Sequence, residues 1–184
     1  MLTTKRLILR SWKEEDFKPF ATMNANPLVM ENFPKPLSEE ESNHLATRFQ
    51  EKIEQLGYGF WAAELKESGE FIGFIGLNYL TKDSPPLPFT PAVEVGWRLD
   101  PKYWGLGLAT EGAKEALRYT FETLMLKEVV AMATIQNTKS HAVMKRLGMT
   151  YNPEDDFENT KLEVNHPLKK CVLYRIKKHD FESI

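Results

Sequence analysis

Val93-Glu94-Val95-Gly96-Trp97-Arg98-Leu99-Asp100-Pro101-Lys102-Tyr103-Trp104-Gly105-Leu106-Gly107-Leu108-Ala109-Thr110-Glu111 is the stretch on which the reading of this chain turns. An apolar strand runs into a proline stop, a glycine-interrupted turn follows, and a helix rich in Ala and Leu opens behind it. At such a junction the first helical N–H groups have no intrahelical acceptor. They point, with the positive end of the helix dipole, at one spot in space. That spot suits a phosphate or diphosphate. Gly105 and Gly107 matter because a side chain at either position would hold a ligand off the backbone.

Three kinds of site share this logic. A P-loop ends in Gly-Lys-Ser/Thr, whereas Gly107 is followed by Leu108 and Ala109. A dinucleotide fingerprint needs Gly-x-Gly-x-x-Gly and an acid about 20 residues further on. Here Thr110 takes the third glycine's place, and the next expected strand, Glu128 to Thr134, runs into Ile135-Gln136-Asn137 with no acid at its tip. The whole segment resembles motif A of the GNAT superfamily of N-acetyltransferases, whose turn reads Gln/Arg-x-x-Gly-x-Gly/Ala. The matching residues are Trp104, Gly107 and Ala109, with Trp104 standing where Gln or Arg is usual. The wording Tyr-Trp-Gly-x-Gly-x-Ala-Thr-Glu is similar to the branch that acetylates ribosomal-protein N-termini, where a tryptophan at this position is common.

Size and composition bound the rest. At 184 residues the chain suits one domain, 1–184, with a full core. A formal net charge of -2 supplies no broad electropositive field, so nucleic-acid binding is not expected. Met1 to Arg6 has no apolar leader segment, and no run approaches membrane-spanning length. The single cysteine, Cys171, excludes an intramolecular disulfide framework and fits a cytoplasmic location. Beside Val172 and Leu173 it reads as a packing residue and not as a nucleophile.

Outward from the glycine turn, the pattern predicts an order of elements. Leu7 to Leu9 is the first strand. Ser11 with Glu14 matches a capping box for a helix through Phe17, Phe20 and Met23, and Ser38 with Glu41 repeats it for a helix with Leu45, Phe49, Ile53 and Leu56 on one face. Phe60 to Leu65 and Phe71 to Leu80 form a meander across Ser68-Gly69. The proline-rich Ser84 to Pro91 is a loop, because its prolines lack ladder donors. After the turn, Leu108, Ala109, Ala113, Ala116, Leu117, Phe121 and Leu124 trace a buried helical stripe. Val129 to Ile135 is a strand, Asn137 to Ser140 opens a helix that stops at Leu147-Gly148, and two further strands lie near Met149 to Tyr151 and Cys171 to Ile176.

This order matches the acetyltransferases along nearly the whole chain, and Arg6-Leu7-Ile8-Leu9-Arg10 and Leu147-Gly148-Met149 resemble the same branch. The resemblance implies a mixed α/β fold: a mostly antiparallel central sheet flanked by helices, with the fourth and fifth strands splayed. It implies acetyl-CoA as cosubstrate, its pantetheine arm along backbone groups of Trp97, Arg98 and Leu99. The diphosphate would lie on the amides of Gly105, Leu106, Gly107, Leu108, Ala109 and Thr110. Asn137 would hydrogen-bond the arm and Ser140 would donate toward the departing sulfur, with Tyr103 as a further donor or simply a packing residue. Either Asn137 or Ser140 could instead serve as a helix cap. Glu94 is the candidate base for the acceptor amine. The bland reading of Glu94 is an exposed strand residue or a partner of Arg98, four residues on and on the same face.

Other polar residues carry less. Glu111 is odd so near a diphosphate site and is expected to face away from it. Ser140 and His141 do not form a triad, because adjacent helical residues diverge. His44, His141, His166 and His179 lack ligand spacing with Cys171, so no metal is expected. Glu154, Asp155, Asp156 and Glu158 read as a solvated loop or an attractor for a cationic substrate. The expected partners are acetyl-CoA and an amine acceptor, either a peptide N-terminus or a small amine such as a polyamine or aminoglycoside, with no membrane and a monomer or homodimer. The same scaffold could also serve as a catalytically idle CoA-binding module.

Overall fold

The computed structural model describes residues 1–82 and 87–183, so part of the expected proline-rich loop lies outside the described residues. The chain divides into two compact units, Met1–Asn78 with Gly96–Ala116, and Tyr79–Val95 with Leu117–Ile184.

In the first unit the elements are strands β1 (Leu2–Thr3) and β2 (Leu7–Arg10), helices α1 (Phe17–Ala25) and α2 (Glu39–Leu56), strand β3 (Phe60–Leu65), and strand β4 (Phe71–Leu80) as far as Asn78. The strands pair antiparallel in the order β1-β2-β3-β4. The two-residue β1 precedes the strand expected to be first. An aromatic cluster fills the space between the sheet and the two helices: Trp12 and Phe20 have ring centroids 4.8 Å apart, and Phe49 and Phe74 5.0 Å. Tilted and edge-on contacts of this kind add to the burial term. The α2 capping box forms as expected, with Glu41 N–H donating to Ser38 Oγ at 3.1 Å and Ser38 N–H to Glu41 at 2.8 Å. Leu56 does not join the buried face and stays 43% exposed, one residue before the helix stops at Gly57.

The first helix begins differently from the expectation. Ser11 does not cap it; a short 3₁₀ turn, Glu14–Asp16, leads into α1 instead. Asp16 takes the Lys13 N–H at 2.8 Å and receives Arg10 on both oxygens, at 2.7 and 2.9 Å. Arg10 Nε also reaches Glu64 at 2.6 Å. This buried fork outweighs a solvent-exposed serine cap, because a buried guanidinium must be neutralised where it lies. The Asp16 bond above all holds the Arg10 pKa above its usual range.

Strand β5 (Ala92–Leu99) and helix α3 (Leu108–Glu122) divide between the units after Val95 and Ala116. Leu108, Ala113, Ala116, Leu117 and Phe121 of α3 are buried, whereas Ala109 is half-buried and Leu124 lies beyond the helix end.

The second unit adds β6 (Glu128–Thr134), α4 (Thr138–Arg146), β7 (Thr150–Tyr151), β8 (Phe157–Glu158), β9 (Lys170–Lys177) and α5 (Lys178–Phe181). An antiparallel ladder from Glu128↔Lys177 to Thr134↔Cys171 joins β6 to β9, which also pairs with β7 and β8. The parallel ladder between β5 and β6, the fourth and fifth strands of the sequence reading, consists of the single pair Glu94↔Val130. A ladder that stops after one pair is what strands leave when they splay. Leu87 and Phe89, the described end of the proline-rich segment, pack on the cluster of Leu80, Val130 and Leu173. Among the described residues no helix is long and apolar enough to cross a membrane.

Replacing Asp16 with Ala strands the Arg10 charge beside Glu64 alone. A loss of about 3–5 kcal/mol in urea-unfolding free energy is expected, the range for breaking a buried pair from one side.

Candidate functional site

In the first unit the site is built around the glycine turn. Gly105 and Gly107 have φ of 77° and 78°, the left-handed region in which a side chain is strained. An ideal Cβ on Gly105 meets nothing within 4 Å, so conformation and not crowding demands the glycine there. The two turns bring the chain into α3 at Leu108, where the N–H groups of Leu108, Ala109 and Thr110 head the helix without i−4 partners. Trp104 closes the turn from the other side: its indole N–H donates to the Leu99 carbonyl at 2.8 Å. One lone pair of Leu99, expected to serve a pantetheine arm, is thereby occupied, and the tryptophan at the Gln/Arg position acts as a strut.

The first unit also reveals a brace that the sequence did not show. Glu111 faces the β1–β2 turn: Oε1 accepts from Thr4 Oγ1 at 2.6 Å and from Arg6 N–H at 2.8 Å, and Oε2 accepts from Arg6 Nε at 2.7 Å. Arg6 then donates through Nη1 to the Leu106 carbonyl at 2.9 Å, and its Nη2 lies 3.6 Å from where a Cβ on Gly107 would sit. The carboxylate expected to face away thus orients a cation against the turn. Burial raises the Glu111 pKa, and the bonds from Thr4 and Arg6 more than offset it, so the carboxyl titrates below its ordinary range.

Arg98 does not pair with Glu94. Its guanidinium donates through Nη1 to Asn24 Oδ1 at 2.8 Å and lies over the ring of Phe33, 4.2 Å from its centroid. Tyr103 is buried, and its hydroxyl makes no hydrogen bond of normal geometry. Burial first, then neighbouring Glu70, raises the phenol's pKa, which weakens Tyr103 as a proton donor.

In the second unit Glu94 is half-buried on β5, opposite Val130. Asn137 caps α4, its Oδ1 accepting from Ser140 N–H at 3.1 Å. The capping role is therefore real, and it leaves the Asn137 amide NH₂ and the Ser140 hydroxyl, one turn apart on the same helix end, to act as donors. His141 is engaged with the Thr134 carbonyl at 3.0 Å, and His166 Nδ1 accepts from Leu168 N–H at 3.1 Å, so both serve local structure. Burial raises the Cys171 thiol. In the acidic loop, Asp155 pairs with Arg175 at 2.9 Å and Asp156 accepts from Tyr151 at 2.9 Å. Among the described residues no His/Cys/Asp/Glu group is arranged to hold a metal.

Over residues 6–150 the chain matches the acetyltransferase (GNAT) domain family, and it belongs to that family. It is 33% identical over 141 residues to the FsC-acetyl coenzyme A-N(2)-transacetylase of Aspergillus fumigatus, a match covering 76% of this chain and 59% of that protein. The chain thus spans less than two thirds of that relative's length. A crystal structure of an acetyltransferase from Agrobacterium tumefaciens superposes with a TM-score of 0.75 at 30% identity, covering 95% of this chain and 92% of that one. A GNAT-family acetyltransferase from Bacillus anthracis superposes at 0.79 with 21% identity, covering 97% and 98%, and shares the fold.

Because the native Glu111 pKa is depressed, its stabilisation is present above the unfolded-state value and disappears as pH falls through the native one. Glu111→Gln is expected to lower unfolding free energy by about 2 kcal/mol at pH 7, the scale of hydrogen bonds to a charged group. Urea titrations repeated at falling pH should show the two proteins converging only as the pH drops through the lowered native pKa of Glu111, beneath the ordinary carboxylate range.

Proposed function

We propose that residues 1–184 act as one N-acetyltransferase domain, moving an acetyl group from acetyl-CoA to a primary amine. The observation that carries this reading is the double left-handed glycine turn at the head of α3, braced by Arg6, in a chain of this family. Its main-chain N–H groups and the adjacent guanidinium suit a diphosphate. Trp97, Arg98 and Leu99 would present backbone groups to the pantetheine arm, and Asn137 would donate its amide NH₂ to the same arm.

Acetyl-CoA supplies a thioester, which an uncharged amine attacks. Glu94 takes a proton from the ammonium or from the attacking nitrogen, directly or through water, because an amine is largely protonated at neutral pH. The new C–N bond forms as the C–S bond breaks, and Ser140 Oγ donates toward the sulfur. A strand amide near Trp97 would polarise the thioester carbonyl. The wording around Trp104 supports the N-terminal amino group of a ribosomal or other protein as acceptor; a small amine is the alternative.

A CoA-release assay across peptides with Ala or Ser N-termini and common small amines tests the reading. Glu94→Gln is expected to lower kcat by about 10²-fold or more, the scale of a general base, and Ser140→Ala by less. CoA-induced thermal stabilisation should survive both changes. Stabilisation by CoA without thiol release from any amine would make the chain a CoA-binding module, and a larger shift with NAD than with CoA would overturn the assignment altogether.

A further inference from the structure

Two arginines of the first unit lay their guanidinium groups against the core, Arg10 buried and Arg98 half-buried, and they are treated in opposite ways. Arg10 is neutralised by Asp16 and Glu64, each within 2.9 Å. Arg98 has no carboxylate paired with it among the described residues: its only hydrogen bond is to the neutral Asn24. Its Nε is sealed from solvent and finds no acceptor. Burial alone pulls its pKa down to about 10. A half-buried cation with one sealed and orphaned donor is costly, and a fold that neutralises Arg10 so fully has not overlooked the second one for want of acids.

The surroundings of Arg98 are built and not accidental. Asn24 is fully buried, and its Nδ2 donates to buried Ser42 Oγ at 2.8 Å, which fixes Oδ1 toward the guanidinium. The backbone of the connection between α1 and α2 is tied in by Leu37 N–H to the Asn24 carbonyl at 3.0 Å. Phe33, 40% exposed, covers the guanidinium at 4.2 Å and Phe74 lies 5.4 Å away. Rings over its face leave a guanidinium its edge for hydrogen bonding, and here one corner of that edge is committed to Asn24. Water could satisfy the remaining N–H groups but not the charge. A carboxylate does both, and the planar fork matches it in two parallel bonds.

We infer that Arg98 is a carboxylate-binding residue for the acceptor, so that the amine acetylated by this chain is a small molecule that also carries a carboxylate. This rests on the transfer reading above and narrows it: of the two acceptor kinds, it selects a small amine, and one unlike a polyamine in charge.

The test compares the twenty amino acids, β-alanine and γ-aminobutyrate with their carboxamides on the wild-type protein. In the CoA-release assay at least one acid is expected to exceed its amide at least tenfold in kcat/KM. Arg98→Gln and Arg98→Met should reduce that ratio to within twofold. A merely structural arginine would move melting temperature and both substrates alike, not the acid-to-amide ratio. The wild-type comparison stands even where a variant fails to fold. Should no amine release thiol, the transfer reading fails, and melting shifts at saturating CoA still decide the inference: acids shifting more than amides support it. Equal response to acid and amide in both readouts overturns it.

Discussion

Backbone amides at the head of α3 have no acceptor inside their own helix, and the chemistry assigned to this chain begins with that shortage. Everything around them preserves it. The glycines at 105 and 107 hold φ near 77° so that the chain can enter the helix with its N–H groups outward. Trp104 ties the turn to the end of β5, and Arg6 grips the Leu106 carbonyl from the opposite side. A flexible turn would repay part of any anion's binding energy in ordering; these two side-chain anchors have met that cost during folding. The cation at the rim arrives from the turn between β1 and β2, while position 104, where the motif it resembles has Gln or Arg, holds an indole.

Legibility followed the range of the interactions. Strands such as Phe60–Leu65 and Phe71–Leu80 were readable because short apolar runs bounded by glycine turns are local signals, and the Ser38 cap was readable because its partner is three residues away. Ser11 looked equally good as a cap. It failed because Asp16 is claimed by Arg10, itself fixed by Glu64 on a strand 54 residues later. Two-residue strands such as Phe157–Glu158 leave no period to read.

The site divides along the same line. The glycine turn and the Asn137 helix start were visible because motif spacing is local. The Arg6–Glu111 brace spans 105 residues, and Arg98 reaches Asn24 across 74, so neither had a signal in spacing. For Arg98 the even spacing from Glu94 pointed to the wrong partner. Same-face placement on a strand permits a pair but does not decide it; an amide preset by Ser42 and two aromatic rings decided it here. Asn137 is a different lesson, since its capping role and its proposed ligand role use different atoms and do not compete.

One residue outside the proposed site sets where the Arg98 backbone runs. Gly73, with φ of 129°, sits at the register shift between β3 and β4, and a Cβ built on it would lie 2.1 Å from the Arg98 carbonyl oxygen. A methyl group there would shove β5 aside and carry the guanidinium with it. The course of the strand that carries Arg98, and with it the acceptor discrimination proposed for that residue, is therefore set partly by a missing atom on the neighbouring strand. Evolution can retune such a setting by sliding one strand against another, with the recognising residue itself unaltered.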